Sequence, residues 1–444
     1  MATALGRNVP DDTQGRAPSI IGEQYARTES SAPPAAQPAQ IRNTFSAINA
    51  QLIKDSFARV TADPARTMEY FYARLFAANP EIRTLFPHAM THTRAAAFEA
   101  LTRLVACLDN PPECEEFVGQ LARDHRKYGV RDTHYQPFFA ALLATAEHFS
   151  GPAWTAETVA AWRATFDHLT DLMRTAAGTD AAARPAWWVG EIVQHDQRGA
   201  TIAVLTIRPD RPMSYVPGQY VAVQVPGRPR LWRNYSIANA PRDNGLLDIH
   251  VRAVPGGTVS TALVGICGTG DTLVLGPPRG DMAVRPDAER DLVCVAGGTG
   301  LAPIKAMIES VVCRTGHGRR RAITLYFGVR HSEDLYDMRD LETLQLGYPS
   351  LTLIPVVDAE PDSAGQGSRD GRDSRDNGPG MLRNAIRAHP SYRSTDVYIS
   401  GPAGMVRETL HTLASRVPAN CLHHDPLDAL RAASRFARGD GFRC

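Results

Sequence analysis

The 444-residue chain reads as a multidomain protein: an all-α domain, then a small antiparallel β-barrel, then an α/β domain on a parallel sheet. Three observations predict this. The chain is longer than the size at which a single core keeps growing. Its apolar spacing is helical up to about Gly178 and changes to a period of two from Pro185. From Asp291, strand-like and helix-like runs alternate, as they do in parallel sheets with crossover helices.

Residues 1–40 mix Ala, Pro, Gln and Ser without periodicity, as in SSAPPAAQPAQ, and are expected to form a disordered tail. Over 41–180 the pattern is helical: Phe57 and Val60, then Phe71 and Leu75, stand at helical spacing. Pro64, Pro80, Pro87, Pro111, Pro112, Pro137 and Pro152 fall where helices are expected to start or stop. Over 181–286 the runs ATIAVLTI, QYVAVQV, NYSIA and LLDIHVRAV, separated by Gly/Pro/Asp turns, suggest a barrel meander. Over 287–427 the strands DLVCV, AITLYFGV, LTLIPVV and DVYIS alternate with IKAMIESVV, LYDMRDLETL, MLRNAIRAH and MVRETLHTLAS. A polar Gly/Ser/Asp/Arg tract near 360–380 reads as a solvated insertion, and 428–444 as a basic tail.

Apolar residues make up 43% and charged residues 21%, an ordinary globular balance, and the formal net charge is +1. Such a charge creates no field to gather nucleic acid or an anionic membrane, so small-molecule ligands are expected rather than either. MATALGRNVPDD lacks a basic segment followed by an apolar core, and no apolar run is long enough to span a bilayer; a cytoplasmic protein is expected. The seven cysteines form no C-x-x-C pair, which argues against a zinc knuckle or a disulfide framework.

DLVCV runs into AGGTGLAP and a helix, setting Gly297, Gly298, Thr299 and Gly300 at the carboxyl end of a parallel strand, where amides and the helix dipole favour a pyrophosphate. Taken alone, this could be a tight turn of any α/β protein. A second turn follows DVYIS, at Gly401, Pro402, Ala403, Gly404 and Met405. The barrel segment contributes Pro217-Gly218-Gln219-Tyr220, Arg233-Asn234-Tyr235-Ser236 and Gly256-Gly257-Thr258-Val259-Ser260.

Taken in order, these five runs resemble the motif series of the ferredoxin-NADP reductase family over about residues 185–425. The resemblance implies an FAD domain followed by an NAD(P) domain. It makes Arg233 a phosphate partner, Tyr235 and Tyr220 planar faces for the flavin, and Ser236 a hydrogen-bond partner of a ring nitrogen. Gly256 and Gly257 would precede a short helix whose amino end, with Val259 and Ser260, holds the FAD pyrophosphate. HHDP and Leu427 occupy the stretch where the family often carries an aromatic flavin cover. The nucleotide is NADH or NADPH, with Arg330 a candidate for a 2'-phosphate or a strand cap. No iron-sulfur cysteine spacing accompanies the series.

In the helical segment, Val118, Leu121, His125 and Tyr128 share one helix face by spacing. A lone histidine on such a face is more often a satisfied core residue than a ligand. The series YFYARLFAANPEIRTLF, ARDHRKYGVRDTHY, LLATAEHF and the Trp162 helix, however, resembles the globin half of flavohaemoglobins over about residues 45–178. That resemblance implies haem b with His125 as the iron ligand, Tyr72 as a hydroxyl facing bound O2, Phe86 as the aromatic wedge and Tyr135 as the partner orienting His125. The family's polar distal residue and the Leu after it fall on Thr93 and Ala97, and its proximal Glu on Ala177. His88 and His92, four apart without an H-E-x-x-H motif, read as solvent-facing or distal-rim residues.

The two resemblances together imply a path from NADH or NADPH through FAD to haem, with nitric oxide dioxygenase activity, nitric oxide and O2 giving nitrate. Two alternatives stay open: a haem-based redox or oxygen sensor that signals to a protein partner, and a reductase serving an external acceptor.

Overall fold

The computed structural model describes residues 50–284, 290–313, 320–358 and 380–425. The expected tails over 1–40 and 428–444, Leu427, and the insertion near 360–380 up to residue 379 lie outside the described residues.

The first domain is helical: α1 Ala50–Val60, α2 Pro64–Ala78, α3 Thr91–Cys107, α4 Pro111–His125, α5 Tyr135–Ser150 and α6 Ala156–Ala183. The prolines punctuate it as expected, Pro64 and Pro111 opening α2 and α4, where a missing N–H costs nothing. Asp63 caps α2 by accepting from the Arg66 amide, and Thr155 caps α6 through the Thr158 amide. Ile53, Phe71, Leu75 and Trp162 are buried, and the Trp162 indole donates to the Ser56 hydroxyl at 2.9 Å, tying α6 to α1. The face α3 turns inward is poor in bulk; Ala96, Ala97 and Ala100 line a cavity rather than fill a core.

Six antiparallel strands follow: β1 Trp188–Gln197, β2 Ile202–Pro209, β3 Tyr220–Gln224, β4 Arg233–Ser236, β5 Leu247–Arg252 and β6 Thr272–Leu275, with α7 Thr258–Gly265 between β5 and β6. Their order is β4-β3-β6-β1-β2-β5. A bridge between Ile237 and Ile249 brings the two edge strands together and nearly closes the barrel. Alternating residues such as Ile192, Leu205, Ile207, Val221 and Ile249 fill its interior.

The third domain holds β7 Asp291–Gly297, α8 Leu301–Cys313, β8 Ile323–Val329, α9 Met338–Gly347, β9 Leu351–Val357, α10 Gly380–Arg387, β10 Thr395–Ser400, α11 Ala403–Leu413 and β11 Leu422–His424. The sheet is parallel, in the order β11-β10-β7-β8-β9. Both faces are covered. Cys294, Leu325 and Phe327 pack with Ile304, Ile308 and Leu341, whereas Val293, Val295 and Val397 pack with Leu382, Ile386 and Val406. From β7 the chain proceeds to β8 and β9 on one side and returns to β10 on the other. The gap between the carboxyl ends of β7 and β10 is therefore a topological switch point, where such sheets bind ligands.

Polar ties fix the domains to each other. Arg230, with φ of 65°, sends its guanidinium to the carbonyls of Thr84 at 3.2 Å and Tyr128 at 3.1 Å, and Arg279 pairs with Asp124 at 3.3 Å. On the other side of the barrel Arg198 reaches Asp340 at 3.2 Å and Arg252 reaches Asp334 at 2.9 Å. Among the described residues no helix is long and apolar enough to cross a membrane.

Candidate functional site

A continuous cavity of about 2970 Å³ runs from the helical domain past the barrel to the parallel sheet. Of the residues singled out from the sequence, Tyr72, Phe86, Thr93, His125 and Tyr135 line its helical part. Arg233, Tyr235, Ser236, Gly256, Gly257, Val259 and Ser260 line its barrel part, and Gly297, Gly298, Thr299, Gly300, Gly401, Pro402, Gly404 and Met405 its sheet part. Tyr220 does not line it; its ring lies 3.3 Å from where a Cβ on Gly280 would stand.

His125 closes α4, and its Nδ1 lies 2.7 Å from the Leu121 carbonyl oxygen one turn earlier. That bond places the proton on Nδ1 and leaves Nε2 as the lone-pair nitrogen, the donor that haem iron needs. Burial holds the imidazole below its ordinary pKa, so it stays neutral. Tyr72 on α2 is 3% exposed, and burial pushes its hydroxyl far up, leaving it a protonated donor. Phe86 stands edge-on to Tyr72, with centroids 5.5 Å apart, and Phe76 and Phe71 complete the aromatic wall. Thr93 sits among Ala96, Ala97, Ala100 and Leu101 on α3. His88 and His92 are exposed at the cavity edge, and no group of metal-binding side chains forms among the described residues. A largely apolar slot walled by the His125 imidazole and the buried Tyr72 hydroxyl fits a haem.

The position to which the resemblance assigns a proximal Glu can be located on α6. Ala177 is half-buried on α6 and does not reach the cavity. The residues α6 turns toward it, Trp162, Thr165, Phe166, Leu169, Thr170 and Met173, include no acid. The charges nearest Tyr135 are Asp132 and Arg174, paired with each other at 2.9 Å, and burial raises the Tyr135 hydroxyl. Asp180, below Ala177, is 5% exposed and occupied by Arg126 and by Arg184 at 2.7 Å.

On the barrel, Gly257 caps α7 with no side chain over the helix's first amides, which stay available to a phosphate. A Cβ there would lie 2.5 Å from the Ser260 hydroxyl, which itself bonds the Gly257 carbonyl and the Val254 amide at 3.2 Å. The turn is thus locked in the form that bares the amides. The Ile237–Ile249 bridge sets Ser236 beside His250 on β5. His250 is 4% exposed, with Nδ1 2.7 Å from the Tyr336 hydroxyl and Nε2 unpartnered. Arg233 and the bared amides offer phosphate donors, while Tyr235 and Ser236 offer a face and a hydrogen bond, a donor set that fits FAD.

In the sheet domain, β7 and β10 are neighbours with Ala296 opposite Ser400, so both glycine turns leave the same edge. They touch: a Cβ on Gly300 would meet the Ser400 oxygen at 2.5 Å and the Gly401 Cα at 2.6 Å. Arg330, His331 and Asp358 line the far end of this part, a cleft that fits a dinucleotide.

Sequence reading missed the groups that only tertiary contact brings in. These are Asp124, Lys127 and Trp232 where helices meet barrel, and His250, Arg252 and Asp334 where barrel meets sheet.

Comparison with known proteins divides the chain the same way. Family models match as Globin over residues 69–173, Oxidoreductase FAD-binding domain over residues 190–283 and Oxidoreductase NAD-binding domain over residues 294–411. The chain is similar to the xylene/toluene monooxygenase electron transfer component of Pseudomonas putida, 36% identical over 207 residues, covering 46% of this chain and 55% of that protein. It is also similar to the flavohemoprotein of Deinococcus radiodurans, 27% identical over 373 residues, covering 80% of this chain and 89% of that protein. In fold it resembles the flavohemoglobin of Malassezia yamatoensis solved with FAD and heme: TM-score 0.67, 16% identity, covering 86% of this chain and 99% of that one. The chain spans 55% to 66% of the length of the first curated relatives it matches. The chain therefore carries a globin domain followed by FAD-binding and NAD-binding oxidoreductase domains, and over most of its length it is similar to flavohemoproteins.

Proposed function

We propose that this chain passes electrons from NADH or NADPH through FAD to haem, and that it is a nitric oxide dioxygenase converting nitric oxide and O2 to nitrate. The observation that carries the reading is the single cavity lined by residues of all three motif sets. When bound, the nicotinamide supplies hydride, the flavin divides it into single electrons, and the haem iron supplies the place where the two gases combine.

The chain's own residues bind, orient and shield. The Leu121 carbonyl fixes the His125 ring so that Nε2 faces the cavity. Tyr72 holds its proton at the hydroxyl and offers it as a hydrogen bond to negative charge on the distal side, where a preset donor in an apolar wall is most effective. The alanine-rich face of α3 excludes water, and Thr93 adds a second hydroxyl there. Tyr135, which lines the same cavity, is assigned to orienting the ligand. Arg233 and the bared amides of α7 hold phosphate, Ser236 and Tyr235 orient the flavin, and the paired glycine turns seat the nicotinamide nucleotide.

The test is aerobic nitric oxide consumption by the haem- and FAD-loaded protein, with NADH and NADPH supplied separately and nitrate counted. Fast consumption yielding nitrate, abolished in His125→Ala and strongly reduced in Tyr72→Phe, is the expected result. Persistent nitric oxide despite reduced flavin and haem contradicts it. A second reading, a reductase serving an acceptor outside the chain, is favoured by the 36% identity to a monooxygenase electron transfer component. Fast reduction of an added acceptor by His125→Ala, without nitric oxide turnover by the parent, is its signature.

A further inference from the structure

Where the helical part of the cavity meets the barrel part, two hydrogen-bond donors face inward without a partner. Trp232 immediately precedes Arg233 on the barrel side, is 9% exposed and lines the cavity, and its indole Nε1 has no hydrogen-bond partner among the described residues. Lys127, two residues after His125, lines the same stretch. Its ammonium stands 5.3 Å from the centre of the Tyr128 ring and 5.8 Å from that of Trp232, and those two rings lie edge to face with centroids 6.3 Å apart. Among the described residues no carboxylate comes within ion-pair distance of Lys127, and neighbouring Asp124 pairs with Arg279 at 3.3 Å. A buried N–H without an acceptor is costly, and a cation beside it sets the acceptor's sign. The two donors, one from each domain, call for an anion.

Haem and FAD would both bring anions into this cavity. The phosphates of the flavin nucleotide already have Arg233 and the bared amides of α7, whereas Lys127 and Tyr128 lie two and three residues after the proposed iron ligand and line the same cavity. We propose that Lys127 and the Trp232 indole N–H together hold a haem carboxylate, so that a barrel residue completes the haem site. The proposal rests on the haem reading given above. It makes haem retention depend on the docking of barrel against helices that Arg230 and Arg279 fix through Thr84, Tyr128 and Asp124.

The test uses the full chain loaded with haem and FAD and follows haem transfer to excess apomyoglobin. FAD content is measured on the same samples. Trp232→Phe keeps a ring and removes the N–H; Lys127→Met keeps the length and removes the charge. Each is expected to release haem about tenfold faster, the scale of a lost hydrogen bond to a charged group, with FAD retained. A second arm loads haem dimethyl ester, which carries no ionised carboxylate. The parent is expected to release the ester as fast as the variants release haem, and the substitutions to have no further effect. Unchanged haem release in both variants overturns the proposal, as does a variant difference that persists with the ester. Loss of FAD with haem retained assigns the donors to phosphate and overturns it too. A parent that takes up no haem removes the underlying reading, a result seen before any variant is made.

Discussion

Gly300→Ala is the most informative single substitution in the nicotinamide half. The added Cβ would stand 2.5 Å from the Ser400 carbonyl oxygen and 2.6 Å from both N and Cα of Gly401. These are backbone atoms of the opposing turn and cannot rotate away. Restoring an ordinary contact of roughly 3.5 Å means parting the two turns by about 1 Å, and forced overpacking of this kind costs roughly 1–3 kcal/mol. If the strain falls on the closed, nucleotide-holding form, affinity drops by about 5- to 150-fold. The assay is stopped-flow flavin reduction at increasing NADH and NADPH, read as the concentration for half-maximal rate, with haem and FAD content unchanged. Gly347→Ala is the control, since Gly347 does not line the cavity and nothing stands within 4 Å of its new Cβ. Equal half-saturation for parent and Gly300→Ala would refute the reasoning that these turns close on the nucleotide.

Other expectations follow from single groups. His125→Ala is expected to abolish haem binding, read from the Soret band, while FAD stays bound and reducible. Lys305 and Asp337, 8% and 0% exposed and bonded at 2.7 Å, form a buried pair that Arg198 joins from the barrel; Lys305→Met is expected to cost about 3–5 kcal/mol in denaturant unfolding, against near-zero cost if the pair is dispensable. Burial first, then Lys305 and Arg198, hold His250 well below its ordinary pKa, so the unfolded chain binds a proton there that the folded one does not. Stability is therefore expected to fall as pH drops below about 6.5, and this slope to shrink in His250→Gln. For Asp180, burial pushes the carboxyl up but Arg184 and Arg126 outweigh it and hold it below its ordinary range. Its contribution is present above about pH 3.9 and lost as pH falls through the folded value, and Asp180→Asn is expected to remove that acid-side loss along with about 3 kcal/mol of stability.

Much of this was legible in the sequence because it is local. Helical spacing around Phe71 and Leu75, the period of two in ATIAVLTI, and glycine turns after β7 and β10 each record a constraint within a few residues. The ordered motifs reach the cavity because strand ends and helix starts lie where the parallel sheet and barrel rims converge. At Tyr220 only the fold shows the neighbours: the residue bridges to Arg279 and its ring packs beside Gly280. β11 went unread because one leucine and two histidines, all half-buried, are too short a run to carry a strand pattern. Trp232 with Tyr128, and His250 with Tyr336, are contacts between residues 104 and 86 positions apart, which no local period encodes. The proximal departure was visible at Ala177, but only the fold shows that no other α6 residue facing the cavity is acidic.

The most direct test of the central claim is anaerobic mixing of the haem- and FAD-loaded protein with NADH or NADPH while flavin and haem absorbance are followed together. An electron path through one cavity predicts that the flavin bleaches first and the Soret band then shifts to that of reduced haem at a rate independent of protein concentration. Flavin that bleaches while the haem spectrum stays fixed, or haem reduction that scales with protein concentration, would contradict it.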